Sequence, residues 1–126
     1  MISLGNYFTS ILLIVLLVRV EEVPDLIITP KVKVVTASDQ NREGDIIVNF
    51  NLENLGSKEI HILSVSPHCS CTDYKLSGPV IEVGKIVTLT LKVPWAQLSS
   101  LGDIYAVLKT DSTQKFVKVS IKADGK

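Results

Sequence analysis

The sequence is poor in what most chemistries need. Two cysteines are too few for a disulfide scaffold or a four-thiolate zinc site. One tryptophan, three tyrosines and three phenylalanines leave little material for an aromatic stacking platform. Neither sign of charge prevails: 13 Lys plus Arg face 13 Asp plus Glu in 126 residues, with no basic run. A nucleic-acid binder that works by phosphate neutralisation is thereby excluded. Seven Gly and five Pro are near average usage, which excludes collagen and low-complexity linkers. No G-x-S-x-G elbow, phosphate loop, H-E-x-x-H or G-x-G-x-x-G occurs. With 46% apolar residues the chain is not disordered, and its length suits one domain with a short appendage.

That appendage is N-terminal. Residues 2–18 carry no charge, and Ile11 to Val18 is an unbroken run of eight aliphatic side chains. As a helix, residues 2–18 would reach roughly 26 Å, near the thickness of a bilayer's hydrocarbon core. A soluble core helix needs polar residues every third or fourth position, and Ile11–Val18 has none. Residues 1–20 are therefore expected to enter a membrane, with 21–24 as linker and 25–126 as the folded domain. A cleaved signal peptide wants a basic start and small residues at the cut. The start has no Lys or Arg, and Val18-Arg19-Val20-Glu21-Glu22-Val23 has no small residue, which favours an uncleaved anchor. Arg19, taken alone, would hold its side of that anchor in the cytoplasm.

Beyond Pro24 the pattern changes to short alternating segments. Ile46, Val48, Phe50 and Leu52 face one way, with Ile47, Asn49, Asn51 and Glu53 opposite: a half-buried strand. Asn54-Leu55-Gly56-Ser57 reads as a turn, after which Ile60 and Ile62 oppose His61, Leu63 and Val65. Val87, Leu89, Leu91 and Val93 point inward from a strand whose Thr88, Thr90 and Lys92 meet solvent. Ile104, Ala106 and Leu108 mark another strand, and Val117, Val119 and Ile121 the last, with Lys118, Ser120 and Lys122 outside. Residues 26–36 read as one strand bent at Pro30, suited to a sheet edge. The stretch from Trp95 to Gly102 has room for a single helical turn. About seven short strands without helical crossovers predict an all-β, two-sheet antiparallel sandwich.

One ordered set of residues resembles a known family. It comprises a strand ending Asn54-Leu55-Gly56, a strand running into Val65, then Cys69-Ser70-Cys71-Thr72, a turn at Glu82-Val83-Gly84, Gly102 and Thr110-Asp111. This resembles the DUF1573 family, whose hallmarks are an N-x-G turn, a C-x-C-T motif and a P-G turn. The similarity spans Asp45 to Ala123, and Glu82 stands where the pattern has proline. The resemblance implies an immunoglobulin-like domain of the ASH/MSP type in the envelope of Bacteroidetes and related bacteria. It also implies an extracytoplasmic domain, against the vote of Arg19, and no assigned reaction.

Cys69 and Cys71 are the one chemically interesting pair. On an extended strand they share a face at about 6.6 Å between Cα atoms, the upper edge of disulfide range, and a tight turn shortens that. A local structural clip, a thiol that shuttles between dithiol and disulfide, and a soft metal site are the three readings. The metal reading adds His68, and His61 from the adjoining strand, as ligands for Cu(I) or Zn(II). Two thiols and two imidazoles at best make it the weakest, and His61 alone reads as a sheet-face residue. Asp73, Glu82, Asp103 and Asp111 sit singly at turns, where Asp commonly bonds its own backbone. Trp95 reads either as core packing or as a partner-facing anchor. Few aromatics beyond Trp95 and Tyr105 argue against glycan binding. The expectation is a membrane-anchored periplasmic interaction module with protein partners in the envelope and no cofactor, small-molecule substrate or enzymatic role. The rival is a thiol-redox or copper-handling protein using Cys69 and Cys71.

Overall fold

Alternation gives each sheet one apolar face, and two such faces are buried only by stacking. A computed structural model describes residues 23–124 and contains two stacked sheets. The expected anchor over residues 1–20 lies outside the described residues. Among the described residues no helix is long and apolar enough to cross a membrane. In chain order the strands are β1 (Leu26–Thr29), β2 (Val32–Val35), β3 (Asp45–Asn54), β4 (Ile60–Pro67), β5 (Asp73–Leu76), β6 (Val80–Ile81), β7 (Ile86–Pro94), β8 (Asp103–Thr110) and β9 (Phe116–Ala123). Helix α1 (Trp95–Leu101) joins β7 to β8. One sheet has the order β1-β3-β7-β5, the other β2-β9-β8-β4-β6.

The inward sets read from alternation are the core. Ile46, Val48, Phe50 and Leu52 of β3, Val87, Leu89, Leu91 and Val93 of β7, and Ile104, Ala106 and Leu108 of β8 are all buried. Nine strands, not about seven, form among the described residues. The additional ones include β5 and β6, whose four and two residues are too short to show a period. The expected bent first strand is two strands in two sheets. β1 pairs with Thr29 opposite Asn51, then the chain turns at a cis Thr29–Pro30 bond and β2 joins the other sheet. There β2 runs parallel to β9, so the sandwich is not wholly antiparallel.

Three smaller departures have local causes. A register shift between Ile62 and Ser64 reverses the phase of β4, so Val65 packs against the core instead of facing out. Ser120 is buried rather than outside, a small residue between its register partners Val32 and Tyr105. Helix α1 has seven residues rather than one turn, because buried Leu98 anchors it and Gly102 N–H closes it on Leu98 O at 2.8 Å.

Asn54 ends β3 fully buried, and its amide is satisfied on both sides. Nδ2 donates to Lys58 O and to Ile81 O, each at 2.8 Å, while Oδ1 accepts Gly56 N–H at 2.9 Å. Its backbone N–H donates to Lys85 O, and its carbonyl accepts Gly84 N–H. Asn54 thus ties the 55–59 loop to the 82–85 turn, where Gly84 adopts φ +76°. Gly56 is needed for closeness: a Cβ there would stand 2.9 Å from Asp25 Cβ. Asn54→Ala strands two carbonyls and one N–H, at about 1 kcal/mol each, so stability should fall by roughly 2–4 kcal/mol in thermal or urea unfolding. Asn54→Asp should do no better, because the side facing the two carbonyls has to donate.

Candidate functional site: a disulfide corner and an unpaired length of strand

Between β4 and β5 the chain passes from one sheet to the other through His68–Thr72. Cys69 and Cys71 are joined in a disulfide with Cα atoms 5.1 Å apart. Thr72 N–H closes the turn on Cys69 O at 3.1 Å, and Cys71 N–H donates to Cys69 Sγ at 3.1 Å. Both cysteines pack part-buried against the core, and the Thr72 side chain is buried beside them. The geometry is that of a clip on a corner that must reverse within five residues.

The expected metal set does not assemble around it. Joined sulfurs offer no thiolate. The His68 ring stacks on Tyr105 at 4.3 Å between centroids and 4° between planes, with Lys118 Nζ 5.0 Å from the Tyr105 ring centroid. His61 stands at the other end of β4, about 20 Å from His68 at strand rise. Among the described residues no three His, Cys, Asp or Glu gather in a way that could hold a metal ion.

His61 has different company. Its backbone N–H and Nδ1 both reach the Asp111 carboxylate at 2.7 Å, and Nε2 lies 3.2 Å from Glu59 Oε1. Asp111 is therefore more than a turn residue bonding its own backbone. The hydrogen bond from Nδ1 to Asp111, followed by the two nearby carboxylate charges, raises the His61 pKa above its ordinary 6.5. The His61 backbone N–H, then its ring, holds the Asp111 carboxyl below its ordinary 3.8. Fifty residues separate the partners, so no local pattern in the sequence could join them.

A second feature lies on β3. Asn54 bonds toward the β7 side, and alternate residues of a strand bond to opposite sides, so Ile47, Asn49, Asn51 and Glu53 direct their backbone groups away from β7. β1 covers Asn51 to Asn54 and then leaves at Pro30, which has no N–H to extend the ladder. Asn41 covers Asp45 through two hydrogen bonds of 2.8 Å. Between these, the backbone groups of Ile47 and Asn49 face no strand among the described residues. They open onto a groove of about 310 Å³ lined by Pro30, Lys33, Val35, Asp39 and Ile46–Asn49. Sequence reasoning missed this groove because it depends on where β1 stops. Trp95, the other interface candidate, is part-buried against the core, with its backbone N–H donating to Gly44 O at 2.8 Å.

Two measurements follow from this geometry. Cys69→Ala/Cys71→Ala removes a three-residue loop closure, which corresponds to about 1.5 kcal/mol or roughly 6–12 °C in Tm, with the far-UV spectrum unchanged. For the His61–Asp111 pair, the His61 contribution is complete below 6.5 and is lost as pH rises through its raised value. The Asp111 contribution is complete above 3.8 and is lost as pH falls through its lowered value. Asp111→Asn should thus destabilise the protein more at about pH 5.5 than at about pH 9, and NMR titration of His61 should give a midpoint above that of free imidazole side chains.

Comparison with known proteins places the fold. A crystal structure of a protein of unknown function from Porphyromonas gingivalis W83 is similar, with TM-score 0.65 and 12% identity over 79% of this chain. The YadV chaperone structure gives TM-score 0.40 and 20% identity over 80% of this chain. The chain spans about half of each, 46% and 53% respectively. No curated protein matches it. The family described as "Protein of unknown function (DUF1573)" matches residues 28–124, beginning in β1 rather than at Asp45, and the chain belongs to that family.

Proposed function

We propose that the protein is a membrane-anchored, extracytoplasmic interaction module that receives an extended segment of an envelope protein along β3. The observation that carries this reading is the uncovered backbone of Ile47 and Asn49. Two N–H and two C=O groups point into a groove between the sheets. Strand addition supplies main-chain hydrogen bonds at such an edge and reads alternate side chains in the adjoining pockets. Lys33 and Asp39 give the groove one charge of each sign, and Ile47, 53% exposed, gives it an apolar contact. The apolar run of residues 2–18 supports the anchor, and the family resemblance supports the extracytoplasmic side.

Thiol exchange or copper handling is a second reading with one observation in its favour: the two sulfurs are joined across a single residue and only part-buried. Opening the bond would take two electrons and two protons from a partner dithiol. That reading requires Cys71→Ser to abolish exchange while the domain stays folded.

A photo-crosslinking side chain at Ile47 in the native membrane tests the interaction reading. It should yield one discrete protein adduct, whereas the same group at Lys118, exposed on the outer face of the five-stranded sheet, should yield none. Absence of an adduct at Ile47, or the same adducts at both positions, would overturn the reading.

A further inference from the structure

The described chain starts at one end of the sandwich, and that end is built differently from the other. Asp25 fixes it there: Oδ1 accepts Thr113 Oγ1–H at 2.7 Å, Oδ2 accepts Thr113 N–H at 3.1 Å, and its carbonyl accepts Leu55 N–H at 2.7 Å. Through Asn54 the 55–59 loop is bonded to the 82–85 turn, and Val23 and Pro24 border a shallow recess with Thr113 and Gln114. The first residues and three loops therefore form a single pole.

At this pole apolar side chains face water. Val23 is 82% exposed, Leu55 52%, Val83 50% and Phe116 63%. These four, two on loops, one at the start of the described chain and one opening β9, are not explained by packing, since the core beneath is already closed by Leu26, Leu52, Ile60 and Ile81. Lys58, Lys85 and Lys115 stand on the same loops, and none is ion-paired among the described residues. Of the acids at the pole, Asp25 is held by Thr113 and Glu59 and Asp111 by His61, which leaves Glu53, at the end of β3, and Glu82. Apolar tips ringed by lysines suit the boundary between acyl chains and headgroups, where lysine stems lie along apolar material and their charges reach phosphate.

The tether decides which surface meets them. From Arg19 to Asp25 there are six residues, at most about 20 Å of extended chain. A membrane-inserted run ending at Arg19 can hold no other end of the domain so near the bilayer. The opposite pole, with Trp95, lies about 30 Å away along the ten residues of β3.

We infer that this pole is a lipid-docking surface: Leu55, Val83 and Phe116 enter the headgroup region of the anchoring bilayer while Lys58, Lys85 and Lys115 meet lipid phosphates. The inference rests on the reading of residues 2–18 as a membrane anchor. It sets the domain on the surface in one orientation, with the β3 groove roughly 15–25 Å above it.

The test uses the full chain in phosphatidylcholine–phosphatidylglycerol vesicles with brominated acyl chains. Native Trp95 serves as the distal reporter. Leu55→Trp and Phe116→Trp, each with Trp95→Phe, are the proximal ones. Both proximal reporters, at headgroup level, should lose about half their emission, while Trp95 keeps its own. Sedimentation with vesicles at alkaline pH reads the anchor separately. Sedimentation with unquenched reporters at 55 and 116, as a protein cap over the pole would also give, overturns the docking and leaves the anchor standing. Equal quenching of Trp95 overturns the fixed orientation and the docking with it. Failure to sediment overturns the anchor reading itself.

Discussion

The Asn54 amide is the constraint on which one whole end of the protein depends. Two donors and one acceptor, fully buried, have to find three fixed partners, and they find them in two segments: Gly56 and Lys58 of one loop, and Ile81 of β6. Asparagine alone presents that combination in so short a side chain. Because the partners are backbone groups, the amide fixes chain path rather than side-chain packing. Gly56 must then run close to Asp25, and Asp25 in turn holds Thr113. The Asn-x-Gly pair that looked like a turn signal is the knot of the pole where the described chain starts.

At the other end the sandwich is secured by a covalent bond. The passage from β4 to β5 changes sheets within five residues, and the Cys69–Cys71 bond with buried Thr72 shapes it. The change of sheet between β1 and β2 uses proline instead. That difference has consequences: a clipped corner is closed, whereas Pro30 ends the β1 ladder and leaves Ile47 and Asn49 uncovered. The same chain thus closes one crossover and leaves an opening at the other.

Much of the architecture was legible because period two is a strong signal where strands are long. β3, β7, β8 and β9 each supply four or more alternating positions, and nearly all of their inward residues are buried. What escaped was short or non-local. β6 has two residues, the phase of β4 flips at one irregularity, and β2 pairs with a strand some ninety residues later in parallel, which alternation does not encode. The site divides the same way. Cys69, Cys71 and Thr72 were visible as a motif. The Asp111 grip on His61 and the gap beside Ile47 arise only when distant segments meet.

The outer face of the four-stranded sheet offers a partner less than an edge or an end does. Across the four-stranded sheet, Thr90 donates to Asn49 at 2.7 Å and Thr88 to Asn51 at 3.1 Å, while Lys92 lies 3.7 Å from Asp45. Cross-strand pairs of this kind satisfy one another, and water covers the rest, so a partner would have to displace bonds already made. The uncovered backbone on β3 makes no such bonds, and the apolar tips at the pole have only water to lose. Docking gains most where the free molecule is least satisfied. On this sandwich those places are the unpaired edge of β3 and the loops around Asn54, set on different parts of the domain so that both can be occupied at once.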